Sequence, residues 1–154
     1  MERKIDVRIR ELEEKDIEEL AGIESEAFSM PWSKHDFEEL LRQPYCRYLV
    51  ALVNGRIAGG CGYTESLGEA TIDNVVVAEA YRGMGIAQAM LRELILRGES
   101  EGVGAFTLEV RVSNTIAIHI YEKNGFKSEG IRPGFYEKPR EDAMIMWRRG
   151  TIVQ

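Results

Sequence analysis

The segment from Ala70 to Val112 constrains the fold most, because a buried strand, a glycine-containing turn, a long helix and a second buried strand follow one another in it. Ala70 to Val77 ends in three consecutive valines, which is typical of a strand buried on both faces. Apolar residues then recur at helical spacing from Ile86 to Ile95, and Ala105 to Val112 is again rich in β-branched and apolar residues. Strand, crossover helix and strand form a βαβ unit, so the two strands are predicted to be parallel.

The rest of the chain supplies further strands and the turns between them. Asn54-Gly55 favours a type I′ hairpin turn, and Leu67-Gly68 marks a second turn before Ala70 to Val77. The three strands joined by these turns are expected to form an antiparallel meander. Further strands are indicated at Asp6–Leu12, Cys46–Val53, Arg56–Tyr63, 126–137 and 143–149.

Two amphipathic helices are predicted before the meander, and one more after the βαβ unit. Ser33 followed by Asp36 is typical of a helix start, and Ser113 or Asn114 caps a helix that stops at Asn124-Gly125. We therefore expect an α/β (α+β) fold in which about four helices flank a single mixed, mostly antiparallel sheet. The expected buried faces are Ile17, Leu20, Ala21, Ala27 and Phe28 in the first helix, and Phe37, Leu40 and Leu41 in the second.

Length and charge limit the classes of protein to which the chain can belong. A chain of 154 residues suits one domain, 1–154. Its 20 basic and 26 acidic residues give a net charge of −6, which argues against a nucleic-acid partner held through phosphates. No apolar run approaches the roughly 20 residues that span a bilayer, so we expect no membrane partner. Charges within Met1–Asp6 stand where a signal peptide needs apolar residues, which indicates a cytoplasmic protein.

Cysteines and histidines indicate neither a disulfide nor a metal. Cys46 and Cys61 lack CxxC spacing, so reduced thiols are expected. His35 and His119 each lack a second ligand at metal spacing, and no metal is predicted.

The turn from Tyr81 to Gln88 is the clearest candidate for ligand binding. Glycines let the backbone approach a ligand closely, and the positive potential of a helix N-terminus favours an anion such as a phosphate. A dinucleotide site of the GxGxxG type is disfavoured, because Gln88 stands at its third glycine position. A purely structural turn remains the alternative.

Three polar residues after the turn are candidates for chemistry. Glu109 lies within an otherwise apolar strand, where burial would favour its action as a proton acceptor, although an ion pair with Arg111 is the simpler explanation. Asn114 and Tyr121 are seven residues apart, which is two helical turns, so they share a helix face about 10 Å apart along the axis. An ordinary core tyrosine is the alternative for Tyr121.

Together these stretches resemble the GCN5-related N-acetyltransferase (GNAT) superfamily, and the resemblance covers nearly the whole chain. The pattern Q/R-x-x-G-x-G/A of that family's pyrophosphate loop is matched from Arg82 to Ala87, with Arg in place of the commoner Gln and Ala in place of the frequent Gly. Within the superfamily the chain is similar to the RimI-like ribosomal-protein alanine N-acetyltransferases. The stretches that carry this narrower likeness are Met30–Ser33, Leu108–Asn114, Tyr121–Phe126 and Glu141–Met146.

The resemblance implies a sheet that is splayed between its fourth and fifth strands, with acetyl-CoA in the gap. It assigns the roles of proton acceptor and proton donor to Glu109 and Tyr121, and it places Trp32 and Tyr136 where they could wall the acceptor peptide, although each could equally be a packing residue. The implied acetyl-CoA contacts are the backbone of Val75, Val76 and Val77, the loop residues Arg82, Gly83, Met84, Gly85, Ile86, Ala87 and Gln88, and the side chain of Asn114.

The implied activity is transfer of acetyl from acetyl-CoA to the N-terminal amine, with alanine as the expected residue, of a ribosomal protein. The amine would attack the thioester directly. Two alternatives stay open: a GNAT enzyme that acetylates a lysine side chain or a small amine, and a non-catalytic module that binds acyl-CoA.

Overall fold

The computed structural model describes residues 6–150, and these contain one seven-stranded sheet with four α-helices packed on it. Residues 1–5 lie outside this range, and they include most of the charged residues that argue against a signal peptide. None of the helices in residues 6–150 is long and apolar enough to cross a membrane. The strands are β1 Val7–Glu11, β2 Cys46–Val53, β3 Arg56–Ser66, β4 Glu69–Val77, β5 Ala105–Arg111, β6 Lys127–Tyr136 and β7 Glu141–Arg149; the helices are α1 Ile17–Ala27, α2 Lys34–Arg42, α3 Ile86–Ser100 and α4 Thr115–Lys123.

The sheet has the strand order β1-β2-β3-β4-β5-β7-β6. Strands β1 to β4 pair antiparallel, as do β5, β7 and β6, whereas β4 and β5 pair in parallel. The predicted meander and the predicted βαβ unit are therefore confirmed. Asn54 and Gly55 both have positive φ, 50° and 82°, as a type I′ turn requires.

Both faces of the sheet are covered, because neighbouring residues of β2 point to opposite sides and are buried on each. Leu49 and Ala51 pack in the core under α3 and α4, and Tyr48 and Val50 pack in the core under α1 and α2. The Ser33 cap is also confirmed, since its hydroxyl accepts from Asp36 N at 3.2 Å.

Two residues assigned to buried faces from the sequence are exposed, and one acidic residue of α1 is buried. Phe28 is 42% exposed because α1 ends at Ala27 and the backbone of Phe28 is extended. Leu41 is 41% exposed, whereas Phe37 and Leu40 make the contact with the core. Glu24, which shares the face of Ile17 and Leu20, is only 2% exposed.

Candidate active site

The parallel strands β4 and β5 separate soon after they begin. They pair over three residues only, Glu69–Thr71 on β4, whereas β4 stays paired with β3 as far as Val77 and β5 with β7 as far as Arg111. The edges of β4 and β5 beyond Thr71 therefore face each other without pairing, and we call this gap the split. The splaying expected between the fourth and fifth strands is confirmed.

A β-bulge lies in β4 where the split begins. Asp73 has no partner on β3, because Gly62 pairs with Asn74 and Tyr63 with Ile72. Because of this extra residue, the side chains that follow it point to the opposite face of the sheet from the one that alternation predicts. Ile72 packs in the core under α3 and α4, whereas Asn74 is buried against Tyr48 and Glu24 on the other face. Asp73 itself is left exposed at the split.

The three valines of β4 are buried to different extents. Val76 is buried in the core under α1 and α2, so full burial is confirmed on that face of the strand. Val75 and Val77 are partly buried and pack against the core under α3. The backbone of β3 lies so close that a Cβ on Gly59 would be 2.4 Å from Val76 O. The opposite edge of these valines has no strand partner within residues 6–150 and lines the split.

The glycine turn leads directly from the end of β4 into α3. Gly83 and Gly85 have positive φ, 79° and 77°, which glycine adopts without the steric cost that a Cβ brings. A Cβ on either glycine would meet no atom within 4 Å, so this backbone borders open space. Arg82 Nε donates to Val77 O at 3.2 Å and ties the loop to the strand.

The N-terminus of α3 presents unpaired donors to that space. The first helical bond runs from Ala89 N to Gly85 O at 3.1 Å, so the N–H groups of the first turn, at Ile86, Ala87 and Gln88, precede the intrahelical ladder. No side chain of the described residues caps this end. The Gln88 side chain accepts from Asn124 Nδ2 at 2.9 Å, which joins α3 to the end of α4. Such a helix end suits a phosphate.

Glu109 lies on β5 beside the split and faces the α1 and α2 side of the sheet, because its neighbours Leu108 and Val110 point into the opposite core. The side chain of Glu109 is 28% exposed, so it is less buried than the apolar residues beside it on β5. Its ion-pair partner is Arg132, at 3.5 Å from Nη1 to Oε1.

The alternative that Glu109 is ion-paired is confirmed, but its partner is Arg132 and not Arg111. Arg111 instead pairs with Glu141 at 3.2 Å and lies over the Tyr136 ring, 4.5 Å from its centroid. Since β7 and then β6 follow β5 in the sheet, residues of these strands, which are distant in sequence, pair with Glu109 and Arg111.

Helix α4 carries Asn114 at its start and Tyr121 near its end. Asn114 is the N-cap and its Oδ1 accepts from Ala117 N at 3.2 Å, which leaves the amide nitrogen to contact a ligand. Tyr121 is buried, with its ring 5.8 Å from that of Phe126, and burial raises the pKa of its phenol well above the ordinary value. The buried, neutral phenol is a better hydrogen-bond donor than acid.

The two expected acceptor walls come from the α1–α2 loop and the β6–β7 hairpin. Trp32 packs on Phe37 and Tyr48, at ring distances of 5.3 and 6.2 Å, and Tyr136 is stacked by Arg111. Both aromatic rings therefore make packing contacts, as the alternative role of packing residue predicts. The loop and the hairpin are joined, because Ser29 Oγ donates to Lys138 O at 2.8 Å.

A buried polar chain beneath the Trp32 loop was missed by sequence reasoning. Tyr48 Oη donates to Asn74 Oδ1 at 2.6 Å, and Glu24 Oε1 accepts from Asn74 Nδ2 at 2.9 Å and from Trp32 N at 3.3 Å. Glu24 Oε2 is buried without a partner among the described residues, and burial raises the pKa of this carboxyl. The spacing of Glu24 from Ile17 and Leu20 was the available signal.

These features fit a CoA thioester. The unpaired edge of β4 offers backbone groups to an extended amide chain, and the open glycine turn with its unpaired donors suits the pyrophosphate.

Comparison with known proteins also indicates an acetyltransferase. The model of the acetyltransferase (GNAT) family matches residues 17–126. The [ribosomal protein bS18]-alanine N-acetyltransferases of Escherichia coli K12 and Haemophilus influenzae are 36% identical over 140 residues and 37% over 143, covering 90% of this chain and 94% and 95% of theirs.

Solved structures agree. The ribosomal-protein-S18-alanine N-acetyltransferase from Escherichia coli has a TM-score of 0.89 at 33% identity and covers 97% of both chains. Ard1 from Thermoplasma volcanium has a TM-score of 0.86 at 27% identity and covers 95% of this chain and 99% of its own. The chain therefore belongs to the GNAT family of acetyltransferases and, within it, is RimI-like.

Proposed function

We propose that the protein transfers acetyl from acetyl-CoA to the N-terminal α-amine of a ribosomal protein, with alanine as the acceptor residue. Relatives named for this activity align over nine-tenths of the chain. The observation that carries the proposal is the split between β4 and β5, with the carboxylate of Glu109 beside it. A ribosomal acceptor places the reaction in the cytoplasm.

The choice of an α-amine follows from the cost of deprotonation. An α-amine with a pKa near 8 costs about 1.4 kcal/mol to deprotonate at pH 7, whereas a lysine near 10.4 costs about 4.6 kcal/mol. A single carboxylate such as Glu109, acting directly or through a water, manages the first more easily. The neutral amine then forms the new C–N bond at the carbonyl carbon.

Other residues around the split bind the two substrates and polarise the thioester. Acetyl-CoA supplies the acyl group as a thioester. The backbone of Val75 to Val77 aligns the pantetheine arm, and a backbone N–H near Val76 polarises the carbonyl oxygen. Asn114 holds the arm through its amide nitrogen, and Trp32 and Tyr136 wall the peptide.

Tyr121 serves as a hydrogen-bond donor to the sulfur as the C–S bond breaks. Full proton transfer from the phenol is uphill, since a thiol is the stronger acid by about 1.5 pKa units in ordinary surroundings and burial raises the pKa of Tyr121 further. Stabilisation of the thiolate by the intact hydroxyl needs no such transfer.

A peptide panel tests the proposal. Release of the CoA thiol is measured with a peptide that begins with Ala, with the same peptide blocked at its N-terminus, and with a blocked peptide that contains lysine. Release with the first alone is expected. Equal rates with blocked peptides would instead support a lysine or small-amine acetyltransferase, and binding of acetyl-CoA without release in any case would support a non-catalytic module.

A further inference from the structure

A second carboxylate stands across the split from Glu109. The last paired residues of the two strands are Thr71 and Thr107, and Asp73 and Glu109 each lie two positions beyond them. Because residues two apart on a strand share a face, the two side chains occupy equivalent positions on opposite sides of the split. The bulge keeps Asp73 on that face and exposed, while its neighbour Asn74 is buried.

Asp73 is fixed on one side only. Its Oδ2 accepts from Thr64 Oγ1 at 2.6 Å, whereas Oδ1 has no hydrogen-bond partner in residues 6–150. No lysine or arginine of the described residues forms an ion pair with Asp73 either. One carboxylate oxygen is therefore oriented by the protein and the other is available to a ligand.

The charge balance between the two strands favours a cation. Although part of its side chain is exposed, desolvation by the neighbouring strands raises the pKa of Asp73; the hydrogen bond from Thr64 opposes this shift, and repulsion from Glu109 adds to it. The positive charge nearby is Arg132, whose side chain is 53% exposed and 3.5 Å from Glu109. Arg132 pairs with Glu109 and not with Asp73, so a cation placed between the two carboxylates relieves their repulsion.

Asp73 also lies on the side where the acceptor is expected. Asn74 and Trp32 both donate to the same oxygen of Glu24, at 2.9 and 3.3 Å. The expected wall of the acceptor site is therefore tied to the strand position next to Asp73. Trp32 packs against the core under α1 and α2, and alternation from Thr71 directs Asp73 to the same face of the sheet.

We propose that Asp73 is a specificity-determining residue that binds the protonated α-amine of the acceptor opposite Glu109. This inference rests on the proposed function. The ammonium arrives carrying one positive charge and gives one proton to Glu109, which becomes neutral. The resulting amine leaves Asp73 and attacks the acyl carbon, and the C–S bond breaks. The second proton of the attacking nitrogen passes to the departing thiolate, so CoA leaves as a thiol. The amide product carries no charge, so Asp73 no longer attracts it and release is favoured.

Asp73→Asn tests the inference, because Asn retains an acceptor for Thr64 and removes the charge. We expect KM for an Ala-initiated peptide to rise about tenfold, while kcat and KM for acetyl-CoA stay within about twofold. Glu69→Gln, an exposed carboxylate at the start of the same strand, is the matched control and should leave all three constants unchanged. An unchanged peptide KM in Asp73→Asn would overturn the inference.

A binding measurement separates this role from a structural one. Calorimetry in the presence of CoA compares the peptide with its N-terminally acetylated form, and wild type is expected to prefer the charged peptide about tenfold. Asp73→Asn should lose that preference, and retention of it would overturn the inference. If wild type acetylates no N-terminus, the proposed function fails first; if it does and the variant matches it, only the role of Asp73 fails.

Discussion

Asn74 Nδ2 donates a 2.9 Å hydrogen bond to Glu24 Oε1, and this contact joins α1 to the strand that borders the split. The same oxygen accepts from Trp32 N, whereas Oε2 is buried without a partner among the described residues. A carboxylate that is 2% exposed and lacks a cationic partner is more stable when protonated. The contact therefore makes stability depend on pH.

The stability difference between Glu24→Gln and wild type should grow with pH. Burial raises the pKa of Glu24 in the folded protein, against the hydrogen bonds from Asn74 and Trp32. Between the unfolded and the folded pKa the folded state binds more protons, so the wild type loses stability as pH rises through that window. Gln keeps the acceptor oxygen without a charge. The Tm of the variant relative to wild type should increase from about pH 4 to about pH 7.

Two further variants make that measurement specific. Glu24→Ala leaves Asn74 and Trp32 without their acceptor and should cost about 2 to 3 kcal/mol of unfolding free energy at about pH 4, and less as pH rises and wild type loses stability. Glu26→Gln changes an exposed carboxylate on the same helix and should leave the pH dependence as it is in wild type. A parallel Tm profile for Glu24→Gln and wild type would contradict the assignment.

Gly85→Ala should weaken acetyl-CoA binding and cost about 1 kcal/mol of stability. Its φ of 77° is left-handed, and a methyl group there would project into the open space before α3. We expect KM for acetyl-CoA to rise about tenfold, measured by initial rates at saturating peptide. Gly22→Ala on the exposed face of α1 is the control, expected to gain about 0.5 to 1 kcal/mol with KM unchanged. A normal KM in Gly85→Ala would remove this loop from the binding site.

Much of the fold was readable from local sequence patterns. The strand β1 and the Asn54-Gly55 turn follow from alternation and turn chemistry within a few residues. The parallel pairing of β4 with β5 follows from a helix placed between two apolar strands. Each of these inferences depends on neighbours in sequence.

The site was less readable because its contacts are distant in sequence. The bulge at Asp73 is a property of the register with β3, which alternation within β4 does not reveal. Glu24 is an acidic residue in a helix rich in acids, and its partner Asn74 lies 50 positions away. Arg132 reaches Glu109 from β6, so the local alternative Arg111 was the wrong partner.

Glu109→Gln should abolish most of the activity while leaving the fold intact. Gln fills the same volume on β5 but accepts no proton, so kcat should fall by about 10²- to 10⁴-fold. The side chain is 28% exposed and its pair with Arg132 is long, so Tm should change little. Glu129→Gln, which loses an exposed pair with Arg149, is the matched control for charge and should keep full turnover. Activity of Glu109→Gln near that of wild type would rule out Glu109 as the proton acceptor.

Tyr121→Phe should lower kcat by about 10- to 100-fold and leave both KM values near those of wild type, because a hydrogen bond to the departing thiolate matters only as the C–S bond breaks. The ring contact with Phe126 does not need the hydroxyl, so the fold is retained. Burial raises the pKa of Tyr121, so the phenol stays neutral throughout the working range. The kcat of wild type should therefore show no loss from ionisation of Tyr121 up to about pH 10. Tyr45→Phe, at an exposed tyrosine outside the split, should behave as wild type. Full turnover by Tyr121→Phe at saturating acetyl-CoA would exclude both proton donation and hydrogen bonding by this residue.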